Sequence, residues 1–486
     1  MKKTIKNIVL ALVAITTFSS CSDYLDVNQD PNNPASSTPE LTLPVAQRNS
    51  ASIIMGERTS LNTLGNVFMY NWSQAGGVWY DQEMAFNVTS NFHTSIWDFT
   101  YASILPNYQY VSEFNDLEWA NYKSIAEIMK AYHFLTLVDV YGDIPYTEAL
   151  QRAANTAPHY DDDAAIYADL MTKLDDAIAA IHSNAGNLAV KDPADHDIIF
   201  QGNMTKWIQF ANTLKLQMVV RQSNVIATAD AQAALAAIAT EGSGYITSDV
   251  TVNPGYLNVV GKMNPFWKEY GESTAGNATL SYGITKATDF TLDYLMNTAA
   301  DNRYTKLYIE AEVDGAFHGI SQDNNNGLKE DYSSVGDGIR KSFDQDALLM
   351  RGSEALFLQA EAIQRTYMTG NAQTTYETAV SASFAELGAG SAGAVLAGSG
   401  SWTAATDKIE LIMTQKWIAL NGTLAHQSWI DYNRTGFPNF LPRAASSLAF
   451  PDRPKNLLYP TSEVANNPNT PGQTQADAFT ATIFWQ

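Results

Sequence analysis

A single cysteine in 486 residues, Cys21, removes whole classes of chemistry from consideration. One thiol makes no internal disulfide and no cysteine-based metal site, so a chain this long depends on its hydrophobic core. The seven histidines, His93, His133, His159, His182, His196, His318 and His426, contain no His-Glu-x-x-His and no pair at helical spacing. Zinc hydrolysis therefore has no ligand set. No G-x-S-x-G elbow is present for a serine nucleophile. Basic residues are scarce, with 29 Lys and Arg against 51 Asp and Glu and a net charge of −22. Such a surface repels phosphate backbones and anionic headgroups, which argues against nucleic acid as a partner. After the first twenty residues, no apolar run reaches the length of a membrane-spanning helix.

Two segments imitate ligand loops without their context. Gly388-Ala389-Gly390-Ser391-Ala392-Gly393 spells G-x-G-x-x-G, but it follows a helical pattern and not a strand, so no helix N-terminus faces a pyrophosphate. Asp26-Val27-Asn28-Gln29-Asp30-Pro31 begins like a calcium loop, yet Pro31 stands where the turn needs Gly. No cofactor, metal site or catalytic residue is expected. Paired carboxylates meet only in three dimensions, so a surface glycoside or peptide hydrolase stands as the competing reading.

What is present begins with an export signal. Lys2, Lys3 and Lys6 precede an apolar stretch, Ile8 to Phe18, too short to span a bilayer. Ser19-Ser20-Cys21 then places small residues ahead of the cysteine, the pattern cut in bacterial lipoproteins. Residues 1–20 read as a signal peptide and Cys21 as the acylated first residue, an effectively permanent anchor in the outer membrane. Residues 21–44, rich in Pro, Asn, Ser and Asp, read as an extended tether. Residues 45–486 read as one domain.

Helical periodicity dominates that domain. Ile125, Ile128, Met129, Tyr132, Leu135 and Val138 line one face between Asn121 and Tyr141. Further helices are expected at Ala164–Ile181, Lys206–Val225, Asp230–Ala239, Ser353–Tyr367, Thr374–Leu387 and Ile409–Leu420. The Asp161-Asp162-Asp163 run suits the positive end of the helix it precedes. Helices in pairs joined by short turns suggest a mainly α, tetratricopeptide-like scaffold, although no clean repeat is visible. Between about 241 and 345 the pattern becomes irregular, with short β-like runs such as Tyr304–Ala311, and a binding surface is expected there.

Seven phrases stand in order along the chain: Asp23–Asn28, Tyr141-Gly142-Asp143-Ile144-Pro145-Tyr146, Lys206-Trp207 through to Arg221, Glu354–Ala362, Gln415-Lys416-Trp417, Trp429–Gly436 and Arg453–Pro460. In these phrases and their order the chain resembles the SusD/RagB proteins. Gln415-Lys416 and Asp431–Arg434 depart from the family's usual wording, which marks a divergent branch. The resemblance implies a nutrient-binding lipoprotein, anchored in the outer membrane and facing outward. It would capture an oligosaccharide or other small nutrient and act as the lid of a SusC-like TonB-dependent transporter.

Sugar capture needs flat aromatic faces flanked by hydrogen-bonding side chains. Candidate platforms are Trp72, Trp79, Tyr80 and Trp97 in the N-terminal region, with Trp267, Tyr270 and Tyr282 in the irregular middle. Core packing is the competing role at each. The Asn264–Tyr282 segment ranks first, because it adds Lys268, Glu272 and Asn277 to its aromatics.

Overall fold

The structure, a computed structural model, describes residues 37–324 and 326–486. The expected signal peptide, Cys21 and the first part of the expected tether lie outside the described residues.

The chain opens with helix α1 (Pro39–Met55), which corrects the tether boundary. Pro39 occupies the first turn, where a missing N–H costs nothing, and Pro44 is carried further along. Tertiary packing overrides the proline signal: Leu43, Ala46, Ser50 and Ile54 are fully buried. Gln47 Nε2 donates to Asp197 Oδ1 at 2.8 Å, and Ser50 Oγ lies 2.7 Å from His133 Nε2. Helices α2 (Leu61–Phe68) and α3 (Leu105–Ser112) follow on either side of strand β1 (Trp72–Gln74).

The scaffold is a succession of packed helices: α4 (Ala120–Tyr141), α5 (Asp163–Asn184), α6 (Met204–Arg221) and α7 (Thr228–Glu241). The irregular middle holds strand β2 (Val250–Val252), short helices α8 (Pro265–Tyr270) and α9 (Leu280–Ile284), and strand β3 (Thr285–Ala287). Strand β4 (Ala347–Met350) leads into α10 (Gly352–Gln364), α11 (Ala372–Leu387), α12 (Lys408–Leu420) and α13 (Ala425–Thr435). Each helix packs on the next: α4 on α5, α5 on α6, α6 on α7 and α10, α10 on α11 and α12, α12 on α13, and α13 back on α2. The fold is mainly α and tetratricopeptide-like.

Local chemistry explains the boundaries. The apolar face expected on α4 is buried along its length. Gly142 at φ +80° ends that helix in a conformation that L side chains rarely adopt. Asp162 caps α5 by accepting from Ala165 N at 2.9 Å, and Asp161 accepts from the backbone N–H groups of Tyr146 and Thr147, which pins the Gly142–Thr147 turn. Tyr304–Ala311, expected as a short strand, instead forms one helical turn at Tyr304–Leu307 and a single bridge from Tyr308 to Val335.

Two small antiparallel ribbons sew the middle onto the scaffold. In one, Trp72, Ser73 and Gln74 face Ala287, Lys286 and Thr285. In the other, β2 pairs with β4 across a bulge. Distant segments are thereby fixed together: the 72–80 loop beside α9, and the 338–346 loop beside α8.

The helices are also locked by buried charge. Arg434 forms a two-pronged pair with Glu361, Nη1 to Oε1 2.6 Å and Nη2 to Oε2 2.8 Å. Asp431 receives Lys416 at 2.7 Å and Arg221 at 3.3 Å, and Arg221 also reaches Asp139 at 3.4 Å. Burial opposes ionisation of Asp431, but Lys416, Arg221 and Arg434 together hold its carboxyl well below the usual carboxylate range. Glu354 is buried in the same region with Oε1 unpartnered, and desolvation outweighs Lys416, pushing its pKa up to about 7.

That shift makes a pH prediction. A carboxyl whose folded pKa exceeds its unfolded one binds protons more tightly in the native state, so its stabilising contribution is lost as pH rises from about 4.5 towards 7. Glu354→Gln removes the titration. Its stability relative to the unmutated protein is expected to improve by about 3 kcal/mol between pH 4 and pH 8 in denaturant melts; a constant difference would contradict the assignment.

Candidate functional site

The first-ranked segment, Asn264–Tyr282, is built around the short helix α8. Asn264 is fully buried and caps it, accepting from Trp267 N at 3.0 Å, while its Nδ2 donates to Gln345 O at 2.8 Å. Pro265 starts the helix. Gly271 ends it under the Trp267 indole, where a Cβ would sit 2.4 Å from Cδ2, so only glycine fits the close approach. A turn closed by Ser273 N donating to Asn277 O at 2.8 Å then leads to α9, which Thr279 caps.

Arg340, from the 338–346 loop, joins the aromatics. Its guanidinium carbon lies 5.0 Å from the Trp267 ring centre and 4.2 Å from that of Tyr282. A loose ion pair with Glu272 at 3.5 Å adds to this contact, and among the described residues the guanidinium makes no hydrogen bond. Such a cation over two rings holds them in place and keeps N–H donors free for a polar ligand. Lys268 pairs with Glu57 at 3.1 Å. Ser281 Oγ donates to Glu269, whose pKa burial raises.

Trp79 joins the same end of the molecule, through Arg58. The Arg58 guanidinium lies 5.1 Å from its ring and donates to its carbonyl at 2.9 Å, and Arg58 also contributes to the field at Glu269. Trp79, Trp267 and Tyr282 are half-buried and Asn277 is exposed. Trp267, Tyr282 and Glu272 thus meet at Arg340, Lys268 and Trp79 reach the adjoining Glu57 and Arg58, and Asn277 lies in the turn between α8 and α9.

Four expected platforms are core residues instead. Trp72, Tyr80 and Tyr270 are fully buried and offer no face to a ligand. The ribbon of β1 and β3 carries Trp72 inward against Tyr270, 5.1 Å between ring centres. The Tyr270 hydroxyl lies 2.6 Å from Thr63 Oγ1, and the Tyr80 hydroxyl 2.7 Å from Thr285 Oγ1. Burial pushes the Tyr80 pKa up to about 12. Trp97 is core as well, packed among Tyr101, Tyr141 and Tyr459. Arg58 and Arg340 were missed by the sequence reading: neither stands near the aromatics in sequence, and no local pattern marks an arginine that stacks on a distant ring.

Other concavities lie elsewhere on the described residues. An 810 Å³ cleft beside β4 is lined by Asp249, Lys341, Asp346, Arg351 and Glu386 and by no aromatic side chain. A 480 Å³ cleft is lined by Asp289, Asp293, Phe317, His318 and Tyr332. Asp143, Asp162 and Asp163 place carboxylate oxygens within 4.8 Å of one another and could offer a cation ligands. All three already accept backbone N–H groups, from Asp163, Ala165 and Phe484 respectively. Among the described residues no helix is long and apolar enough to cross a membrane.

Comparison with known proteins gives the scaffold its family. No curated protein sequence matches the chain. A SusD homologue from Bacteroides uniformis is 25% identical, with a TM-score of 0.74 over 91% of this chain and 99% of its own. A chitin-binding SusD homologue from Flavobacterium johnsoniae shares 19% identity and a TM-score of 0.75 over 92% of this chain and 100% of its own. A homologue from Bacteroides vulgatus gives 21% and 0.73 over 92% and 97%. The family model described as starch-binding and associating with the outer membrane matches residues 31–460, and the chain belongs to this SusD-like family.

Proposed function

We propose that this protein is a lipid-anchored, outward-facing carbohydrate-binding subunit that captures an oligosaccharide and passes it unaltered to a SusC-like TonB-dependent outer-membrane transporter, over which it acts as a lid. Support comes from the half-buried Trp267 and Tyr282 meeting at Arg340, with Lys268 and Trp79 reaching the adjoining Glu57 and Arg58 and Asn277 exposed in the same segment, in a chain of this family. Aromatic edges and faces meet the apolar side of a sugar ring, while guanidinium, ammonium and amide groups bond its hydroxyls. Two platforms and a few hydrogen bonds, less the cost of association, give a Kd in roughly the micromolar to millimolar range. Weak capture suits a protein that must release its cargo.

Calorimetry with maltoheptaose and chitohexaose tests capture. Trp267→Ala and Tyr282→Ala are each expected to weaken binding by at least about tenfold with the fold intact. Trp72→Ala is expected to cost about 3–5 kcal/mol of stability instead. Release of shorter sugars by the unmutated protein would replace capture with hydrolysis. Anchoring has its own test: Cys21→Ala should abolish incorporation of labelled fatty acid in cells, and undiminished labelling would refute acylation at that residue.

A further inference from the structure

Beside α8 lies a cleft of 310 Å³, at the lower end of the roughly 300–1,000 Å³ typical of ligand pockets. Arg48, Ser52 and Glu57 line it from α1 and the turn that follows; Lys268, Glu272 and Thr274 line it from the Asn264–Tyr282 segment. It shares a wall with the aromatic end, because Glu272 is the carboxylate paired with Arg340, which touches Trp267 and Tyr282. Val260, Met263 and Pro265 add an apolar side. The lining charges cancel formally, Arg48 and Lys268 against Glu57 and Glu272, and Lys268 and Glu57 pair directly.

One lining residue lacks a partner. Tyr256 is 5% exposed, and its hydroxyl is buried with no hydrogen bond to any described residue. A buried hydroxyl left unpaired destabilises the protein that carries it, and this one borders the cleft, where a ligand can supply the missing partner. The neighbouring Leu257–Lys262 turn is anchored to α1 by Arg48 Nη2 donating to Gly261 O at 3.0 Å. Its Leu257, Val259 and Val260 are 51%, 48% and 84% exposed, so little packing resists a small shift of this wall.

We infer that this cleft is an end subsite for one uncharged sugar ring, with the Tyr256 hydroxyl as a hydrogen-bond partner exposed by movement of the Leu257–Lys262 turn, and that the adjoining ring of the same oligosaccharide lies against Trp267 and Tyr282. The inference rests on the capture reading above and deepens it. An apolar side opposite hydroxyl-bearing and charged groups matches the two-faced surface of a pyranose. Balanced lining charge favours a neutral ring over an acidic or amino sugar.

Tyr256→Phe separates a ligand-facing hydroxyl from a structural one. Without ligand, the variant is expected to melt at the same temperature as the parent or higher, because an unpaired buried hydroxyl is gone. Its affinity for whichever of maltoheptaose and chitohexaose binds the parent is expected to fall about tenfold by calorimetry. Thr274→Trp, at an exposed lining position, is expected to block the cleft and weaken the same probe by at least as much. Unchanged affinity in both variants, with binding still lost in Trp267→Ala, would overturn the end subsite and leave capture standing. A lower melting temperature for Tyr256→Phe would make the hydroxyl structural and also overturn it. A parent protein that binds neither probe would sink both readings.

Discussion

Buried charge is the constraint on which the arrangement depends. Arg221, Lys416 and Arg434 meet Asp139, Glu361 and Asp431 in the interior, where an isolated ion would cost several kcal/mol. The arrangement is tolerable because nearly every charge has an opposite neighbour, and those neighbours come from five helices: α4, α6, α10, α12 and α13. Sliding any one of them along its axis would strand a charge, which costs about 3–5 kcal/mol when a buried pair is broken. Apolar ridges alone permit such slippage; an Arg434–Glu361 fork does not. Trp485 lies over Arg221 at 5.7 Å and draws the last residues of the chain onto the same network.

A scaffold fixed this way allows the rest of the chain to be irregular. The segments carrying Arg58, Trp79, Trp267, Tyr282 and Arg340 have little regular structure of their own. Two ribbons of three or four residues, the Asn264 cap and the buried Trp72–Tyr270 pair hold them against the helices. Two of the four buried aromatics of the original set therefore serve the candidate site at one remove: Tyr270 ends the helix that displays Trp267, and Trp72 packs against Tyr270. Rigid support with adaptable loops is the usual division between fold and binding surface.

The helical scaffold was legible in the sequence because it obeys local rules. The α4 face, the Asp162 cap and Gly142 can each be read from a few neighbouring residues. The start of α1 could not: Pro44 lies inside it and speaks against a helix, and only packing of Leu43, Ala46 and Ile54 against distant elements decides the matter. Tyr304–Ala311 failed in the opposite sense, since a strand-like composition found only one partner residue. In the candidate site, residue type alone could not tell an inward aromatic from an outward one. Trp79 and Tyr80 are neighbours with different burial: the Tyr80 hydroxyl meets Thr285, more than 200 positions away, while the half-buried Trp79 lies beside Arg58. Arg340 and Tyr256 left no local trace, because their importance arises from what each meets, or fails to meet, in space.

Crystallography of the protein soaked with an oligosaccharide shown to bind it bears most directly on the central claim. Sugar density against Trp267, Tyr282 and Arg340, continuing into the cleft above Tyr256, is the predicted result. Ordered sugar in the 810 Å³ cleft beside β4, with the aromatic end empty, would contradict it.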